Sequence, residues 1–225
     1  MNASSVRAVV AEFLGTALFV FVGAASVVAS GMTAGSSGTL TIALAHGVGM
    51  AVIISAFMNI SGAHFNPAVS LGAFIAGKLD GRGLGRYIGA QLVGGIVGAA
   101  LVRLLFPTQA VSTAGGGTPQ LAFNVDMLHA VALEAVFTFI LVTVVFGTAI
   151  SSEAPKIGGF GIGLAIFVAA LIIGPITGAA LNPARAFGPA LVSMTWHSQV
   201  VYWIGPLLGG AAAGWLWKVL LLPKT

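Results

Sequence analysis

Residues 61–68 read "SGAHFNPA", and residues 177–184 read "TGAALNPA". Asn is a favoured helix N-cap. Pro is favoured at the first helical position, where its missing N–H costs nothing. Each Asn-Pro-Ala is therefore a helix start. A single copy reads equally well as an ordinary capped helix or a turn. Two copies, each behind a Gly-Ala spacer, ask for a common explanation, because neither Asn nor Pro belongs deep in the apolar sequence around them.

The chain has 225 residues, 58% of them hydrophobic and 6% charged. A soluble domain carries about 25% charged residues, so this chain cannot cover a water-facing surface and its solvent is lipid. A spanning helix needs about 20 mostly apolar residues. Six stretches qualify, roughly residues 8–30, 40–60, 85–106, 127–150, 159–175 and 200–221, the fifth being short and punctuated by glycine. The first is not a signal peptide, because it is long, carries Glu12 and is followed by no polar mature domain. Gly94-xxx-Gly98 and Gly205-xxx-Gly209 are candidates for close helix contact, although glycine is common in membrane helices in any case. There is no cysteine, which excludes disulfides, thiolate chemistry and Cys-based metal sites.

Each Asn-Pro-Ala is followed by only about a dozen apolar residues, too few to cross a bilayer. The first run stops near "GKLDGRG" and the second near "SMTWHSQ". Both are predicted to be re-entrant half-helices that start at mid-membrane and meet N-terminus to N-terminus, making one composite seventh span. Asn66 and Asn182 then sit side by side at the centre, where both half-helices direct their positive dipole ends. The extended residues before each Asn leave backbone carbonyls unpaired, which is tolerated at that depth only if they line a cavity or are buried in protein. Free carbonyl acceptors beside a pair of amide donors describe a narrow polar file for a neutral, hydrogen-bonding molecule.

The net charge of +4 does not point to nucleic acid, because the charges are segregated. Alternating the loops from the inside gives one face Arg7, Lys78, Arg82, Arg86, Lys156, Lys218 and Lys224, and the other only Arg103 and Arg185. By the positive-inside rule both termini are cytoplasmic. The chain also repeats itself. Glu12 and Thr16 lie four apart in the first span, and Glu134 and Thr138 four apart in the fourth. The third span reads "YIGAQLVGG" from Tyr87, and the sixth reads "WIGPLLGG" from Trp203, the same phrase with one residue missing. Three spans per half is an odd number, so the halves enter the membrane from opposite sides. The expectation is a single all-α membrane channel domain over 1–225, with inverted repeats at about 1–106 and 127–225. A Gly-, Thr- and Ser-rich linker at about 107–126 joins them outside. In such folds the sites tend to lie at the repeat interface, near the midplane.

The paired stretches "SGAHFNPAVS" and "TGAALNPARAFGPA", with "AEFLGT" in the first span and "YWIGPLLGG" opening the sixth, make the sequence resemble the aquaporin (major intrinsic protein) family over essentially its whole length. The resemblance implies six tilted helices, two half-helices, a pore in every subunit and a homotetramer. It implies pore motifs at Asn66, Pro67 and Ala68 and at Asn182, Pro183 and Ala184, with the two Asn side chains as central donors. Arg185 becomes the constriction arginine at the outer mouth, where an intramembrane charge reads as functional or water-facing by default. An Arg that snorkels to the interface is the alternative. Glu12 and Glu134 become braces for the half-helix loops rather than a proton relay. His64 braces the first loop, and Ala180 takes its place in the second copy.

Three further constriction positions follow by spacing from the motifs. His46 lies twenty residues before Asn66, Ala170 twelve before Asn182 and Ala179 three before Asn182. Water-selective relatives carry an aromatic at the first position and His at the second. A His at the first position looks like the tonoplast subgroup and its ammonia-passing relatives, some of which add a His in the external linker, where this chain has Gln109. The bland alternative for His46 is a packing histidine. Glycerol-conducting relatives carry Asp directly after the arginine. Here "RAFGPA" supplies Ala186 and Ala190, and Tyr202-Trp203 opens the last span, so water is favoured over glycerol or urea. Ammonia and hydrogen peroxide are expected as additional small neutral solutes. Passive conduction needs no cofactor or metal and no covalent step, so the chain is not expected to be an enzyme. A secondary transporter would need a coupling acid facing its substrate. The short termini show no tail suited to gating and look bacterial, which favours an inner membrane, with the vacuolar membrane as alternative.

One prediction follows from the missing thiols. Water flux through the purified protein in liposomes is expected to be unchanged by mercurials, measured by stopped-flow shrinkage. Thiol-reversible inhibition would point to a contaminant.

Overall fold

The computed structural model describes residues 3–33, 38–155 and 157–223. Lys156 and Lys224, counted above on the cytoplasmic face, lie outside the described residues. Among those residues the chain is helical without strands. Helices α1 (Ala3–Met32), α2 (Gly38–Ser61), α4 (Gly81–Leu105), α6 (Met127–Val145), α7 (Gly158–Thr177) and α9 (Val201–Leu216) are the long ones. With the π-turns Phe146–Ile150 and Trp217–Leu221 that extend α6 and α9, six helices are long and apolar enough to cross a membrane. Between them sit the short helices α3 (Pro67–Ile75) and α8 (Pro183–Ser193), and α5 (Thr108–Thr113) within the linker. The fifth span is longer than its glycines suggested, at 20 residues with Pro175 near its end.

The short helices begin as the motif requires. Asn66 caps α3 from an extended backbone, accepting from the Ala68 N–H, and Asn182 caps α8 by accepting from Ala184 and Arg185. Each is followed by Pro at the first helical position. At 9 and 11 residues they reach about 14 and 17 Å at 1.5 Å per residue, roughly half the hydrocarbon thickness. At the start of α6, Asp126 accepts from Leu128 and His129 backbone N–H groups and pairs with the His129 ring. The bonds from His129 hold its carboxyl below the usual range.

Apolar side chains point outward as well as inward. Val48, Val52, Leu104, Phe160 and Ile172 are all exposed, as a helix apolar on every side should be when lipid is its solvent. Where the long helices cross, the closest contacts are made at glycine. A Cβ on Gly94 would lie 2.4 Å from the Phe13 carbonyl oxygen, and one on Gly98 2.3 Å from that of Ala17. These contacts bring α4 against α1. The same occurs where α9 crosses α6, with Gly209 against the Ala135 carbonyl and Gly205 against that of Val131. The next glycine in each helix touches a half-helix instead. Gly95 meets the Ala184 carbonyl and Gly210 meets the Ala68 carbonyl. Each half-helix is thus clamped by the third long helix of the opposite half of the chain.

These contacts set the register between α4 and α9, and it differs from the sequence expectation. Gly94 and Gly95 correspond to Gly209 and Gly210, so Tyr87 corresponds to Tyr202 rather than Trp203, and no residue is missing. The hydroxyls agree: Tyr87 donates to the Ser61 carbonyl at 2.7 Å and Tyr202 to the Thr177 carbonyl at 2.8 Å.

Backbone contact leaves no slack. A Cβ on Gly188 would lie 2.2 Å from the Gly95 carbonyl oxygen, whereas one on Gly89, in the same helix α4 as Gly95, meets nothing within 4 Å. Gly188→Ala is expected to destabilise the detergent-solubilised protein by about 1–3 kcal/mol, read as a lowered melting temperature. Gly89→Ala is expected to leave it unchanged or slightly raised.

Candidate functional site

The two loops that lead into the half-helices, residues 62–66 and 178–182, have one unusual backbone in common. Gly62, Ala63 and Phe65 have positive φ, as do Gly178, Ala179 and Leu181. For a residue with a side chain this conformation costs about 1–3 kcal/mol and persists only where the surroundings over-determine it. Here a buried carboxylate does so. Glu12 accepts the backbone N–H of His64 at 2.9 Å on one oxygen and that of Phe65 at 2.7 Å on the other. Glu134 accepts those of Ala180 at 3.0 Å and Leu181 at 2.7 Å in the same manner. A hydroxyl completes each brace: Ser61 donates to Glu12 at 2.6 Å and Thr177 to Glu134 at 2.7 Å. Each hydroxyl oxygen in turn accepts the next loop N–H, from Ala63 and Ala179.

Asn66 and Asn182 come together at the junction. The Asn66 carboxamide donates to the Leu181 carbonyl, and the Asn182 carboxamide to the Phe65 carbonyl, each at 2.8 Å. The loops are therefore laced to each other across the chain's two halves. Of the loop carbonyls expected to be free, those of Phe65 and Leu181, directly before each Asn, are occupied, while those of Ala63, His64, Ala179 and Ala180 accept no bond among the described residues. A carboxamide has two N–H donors, so one remains on each Asn. Both Asn side chains are buried and line a narrow inner cavity with Phe19, Ile54, Leu141 and Ile166.

That cavity has a volume of about 20 Å³, against about 320 Å³ for the outer vestibule. His46, Ala170 and Ala179 line both spaces and so mark the neck between them. Arg185 borders the outer space. Its guanidinium donates to the Gly117 carbonyl at 3.0 Å and to His46 Nε2 at 3.2 Å. The opposite ring nitrogen, Nδ1, lies 2.9 Å from the Ile42 carbonyl. A neutral ring protonated at Nδ1 satisfies both partners, donating to Ile42 and accepting from Arg185. Arg185 is buried, and among the described residues no carboxylate pairs with it; its fixed partners are neutral. His64 also lines the inner cavity, and its ring bonds the Ser70 hydroxyl at 3.1 Å.

Several participants carry no signal in the motif itself. Gly117 lies in the linker, in a short 3₁₀ turn, Gly115–Gly117, that follows α5. Its φ is +76°, and a Cβ there would meet the backbone of Ala24 at 2.6 Å. Gln91 donates to Glu12 at 2.8 Å and to Ser70 at 3.0 Å. A buried amide in an apolar span was the available clue. Ser61 and Thr177 open the two quoted stretches, where one hydroxyl residue replaces another.

The match to the Major intrinsic protein family runs over residues 1–217. The chain belongs to that family. Among its relatives, "Probable aquaporin TIP3-2" of Arabidopsis thaliana is 40% identical, covering 98% of this chain and 86% of the relative. "Aquaporin-8" of Mus musculus is 38% identical, covering 96% of this chain and 82% of the relative. The fold is shared with the X-ray structure of the aquaglyceroporin from Plasmodium falciparum, with a TM-score of 0.86 and 24% identity over 96% of both chains. Like other major intrinsic proteins, the chain is an integral, multi-pass membrane protein. None of the relatives named here is bacterial, so the bacterial membrane suggested by the short termini is without support.

The carboxylate braces generate a prediction. Glu12 accepts four bonds from Ser61, His64, Phe65 and Gln91. Glu12→Gln replaces one acceptor oxygen by an NH₂ that faces donors. A hydrogen bond to a charged group is worth about 1.5–3 kcal/mol. The variant is expected to lose at least one such bond, seen as a lower melting temperature and reduced water flux. Ser61→Ala, which keeps the carboxylate, is expected to be milder on both measures.

Proposed function

We propose that the chain conducts water passively in single file through one pore per subunit. The observation that carries this reading is the junction itself: two crosswise-bonded Asn side chains, each with a spare donor, on the wall of a cavity of about 20 Å³. A water molecule needs about 10–15 Å³ on this measure, so waters pass one at a time. The spare Asn donors bind the oxygen of the passing water. Its own hydrogens then point away from the centre, and it cannot accept a proton along a continuous chain. Two positive half-helix ends and Arg185, which has no direct carboxylate partner among the described residues, oppose cations.

In this reading Asn66-Pro67-Ala68 and Asn182-Pro183-Ala184 form the pore centre, and His46, Ala170, Ala179 and Arg185 the selectivity filter. Glu12, Glu134 and His64 brace the loops. The chain is one channel domain of two inverted repeats, with both termini cytoplasmic, and assembles as a homotetramer. It carries out no enzymatic reaction. A coupled transporter is disfavoured because both intramembrane carboxylates are completely buried and occupied by loop donors. A glycerol facilitator is disfavoured because Ala186 follows the arginine.

The filter also admits small neutral solutes. Ala170 offers only a methyl group, and the His46 ring is held by Ile42 and Arg185 rather than left free to swing across it. Stopped-flow measurements on proteoliposomes test this. Water flux is expected to rise linearly with the osmotic gradient, without saturation or proton dependence. Ala170→His is expected to keep water flux and lose ammonia and hydrogen peroxide flux. Equal solute flux in both proteins would show that the filter lies elsewhere.

A further inference from the structure

The width of this filter depends on where the His46 ring rests, and that resting place is made by a residue outside the filter. A Cβ on Gly23 would lie 2.6 Å from His46 Nε2, 3.0 Å from Cδ2 and 3.2 Å from Cε1. Real side chains keep about 3.4 Å or more. The tip of the ring therefore occupies the volume that any other residue at position 23 would fill. Gly23 is buried in the middle of α1, and its φ is not positive, so its backbone does not require glycine. What requires glycine is the imidazole.

The rest of the ring is enclosed. The Phe19 ring stands edge-on to it, with centroids 5.9 Å apart and planes at 85°. The Ile42 carbonyl fixes Nδ1 and the Arg185 guanidinium fixes Nε2. The side that remains is the one facing the two water spaces, where Ala170 and Ala179 are the other residues common to both. A ring pushed off α1 has that space to enter.

We infer that Gly23 is a specificity-determining positioning residue: it parks His46 against α1 and so holds the filter wide enough for neutral solutes larger than water. The inference rests on the filter proposed above and adds to it a residue that touches no permeating molecule. It accounts for a feature that the filter residues alone leave open, since a His46 ring over Ala170 would restore a water-only neck with the same four side chains. Retraction of the ring is a property of the α1–α2 contact, not of His46 by itself.

Gly23→Ala tests this. To recover ordinary contact from 2.6 to 3.4 Å, the ring tip and α1 must separate by 0.8 Å, and the ring is expected to yield into the water spaces that it lines with Ala170. In proteoliposomes the ratio of hydrogen peroxide flux to water flux is expected to fall several-fold. In the double variant Gly23→Ala/His46→Ala the ratio is expected to return to that of His46→Ala alone, because the clashing ring is gone. The inference is overturned if Gly23→Ala lowers the ratio equally in both backgrounds. It is also overturned if the variant lowers both fluxes in proportion, with a reduced melting temperature, which is the mark of a merely structural glycine. Ala170→His in the same assay separates the two levels: if it leaves the ratio unchanged, the filter reading fails, whatever Gly23→Ala does. An experimental structure of Gly23→Ala gives a readout independent of flux. A ring displaced by about 0.8 Å or more supports the inference, and an unmoved ring refutes it.

Discussion

Two carboxylates hold this structure together at its weakest point. A turn of non-helical backbone in the middle of a hydrocarbon layer exposes N–H groups that have no water to bond, at a cost of several kcal/mol for each group left unsatisfied. Glu12 and Glu134 each reach from a neighbouring helix and accept consecutive N–H groups of one loop. Bonds to a charged acceptor are worth about 1.5–3 kcal/mol each, enough to hold Ala63, Phe65, Ala179 and Leu181 at positive φ. That backbone aims the Phe65 and Leu181 carbonyls at the opposite Asn side chains. The half-helices then start where they must for their positive ends to meet. Remove the carboxylates and the loops lose the contacts that justify their strain.

The two braces are alike in their backbone bonds and unlike in what surrounds them. Around the first, His64, Ser70 and Gln91 form a polar cluster with Glu12. At the corresponding positions the second half has Ala180, Ala186 and Pro206. There Ala180 and Ala186 pack with Ala130, Val201 and Tyr202 as an apolar cluster. The same loop geometry is thus supported by hydrogen bonds on one side and by hydrocarbon packing on the other. Only the features shared by both halves are needed to make the turn. The extra polar groups of the first half surround its loop with hydrogen-bonding partners, and one of them, His64, reaches the inner cavity.

Rigidity elsewhere makes the neck a matter of a few side chains. Glycine carbonyl contacts lock α4 to α1 and α8, and α9 to α6 and α3, so the helices cannot slide to widen the pore. What varies is the contents of the neck. Ala170 and Ala179 contribute methyl groups, Arg185 contributes charge held by the neutral acceptors Gly117 and His46, and His46 contributes a ring whose position depends on its neighbours. In the proposed filter, charge comes from Arg185 and width from Ala170, Ala179 and the His46 ring, and the bond from Arg185 to His46 couples the two.

Much of this was legible in the chain. Composition gave the membrane, the apolar runs gave six spans within a few residues of their observed ends, and the doubled Asn-Pro-Ala gave the two half-helix starts, because capping and proline preference are local properties. Glu12 and Glu134 stood out because an acid in hydrocarbon must have a partner. The partners themselves came only with the fold. The crosswise bonds between Asn66 and Leu181 and between Asn182 and Phe65 join residues more than a hundred positions apart, and no local preference encodes such a pairing. The register of Tyr87 against Tyr202 was misread because similar letters can be aligned with or without a gap, whereas backbone contacts at glycine permit one alignment. Gly117 read only as part of the Gly-, Thr- and Ser-rich linker, since nothing in its neighbourhood announces the arginine whose guanidinium it accepts from. The sequence by itself determined which residues could line a pore. The tertiary structure decided which way they face, because the position of a side chain such as His46 is set by the space that a distant glycine leaves open.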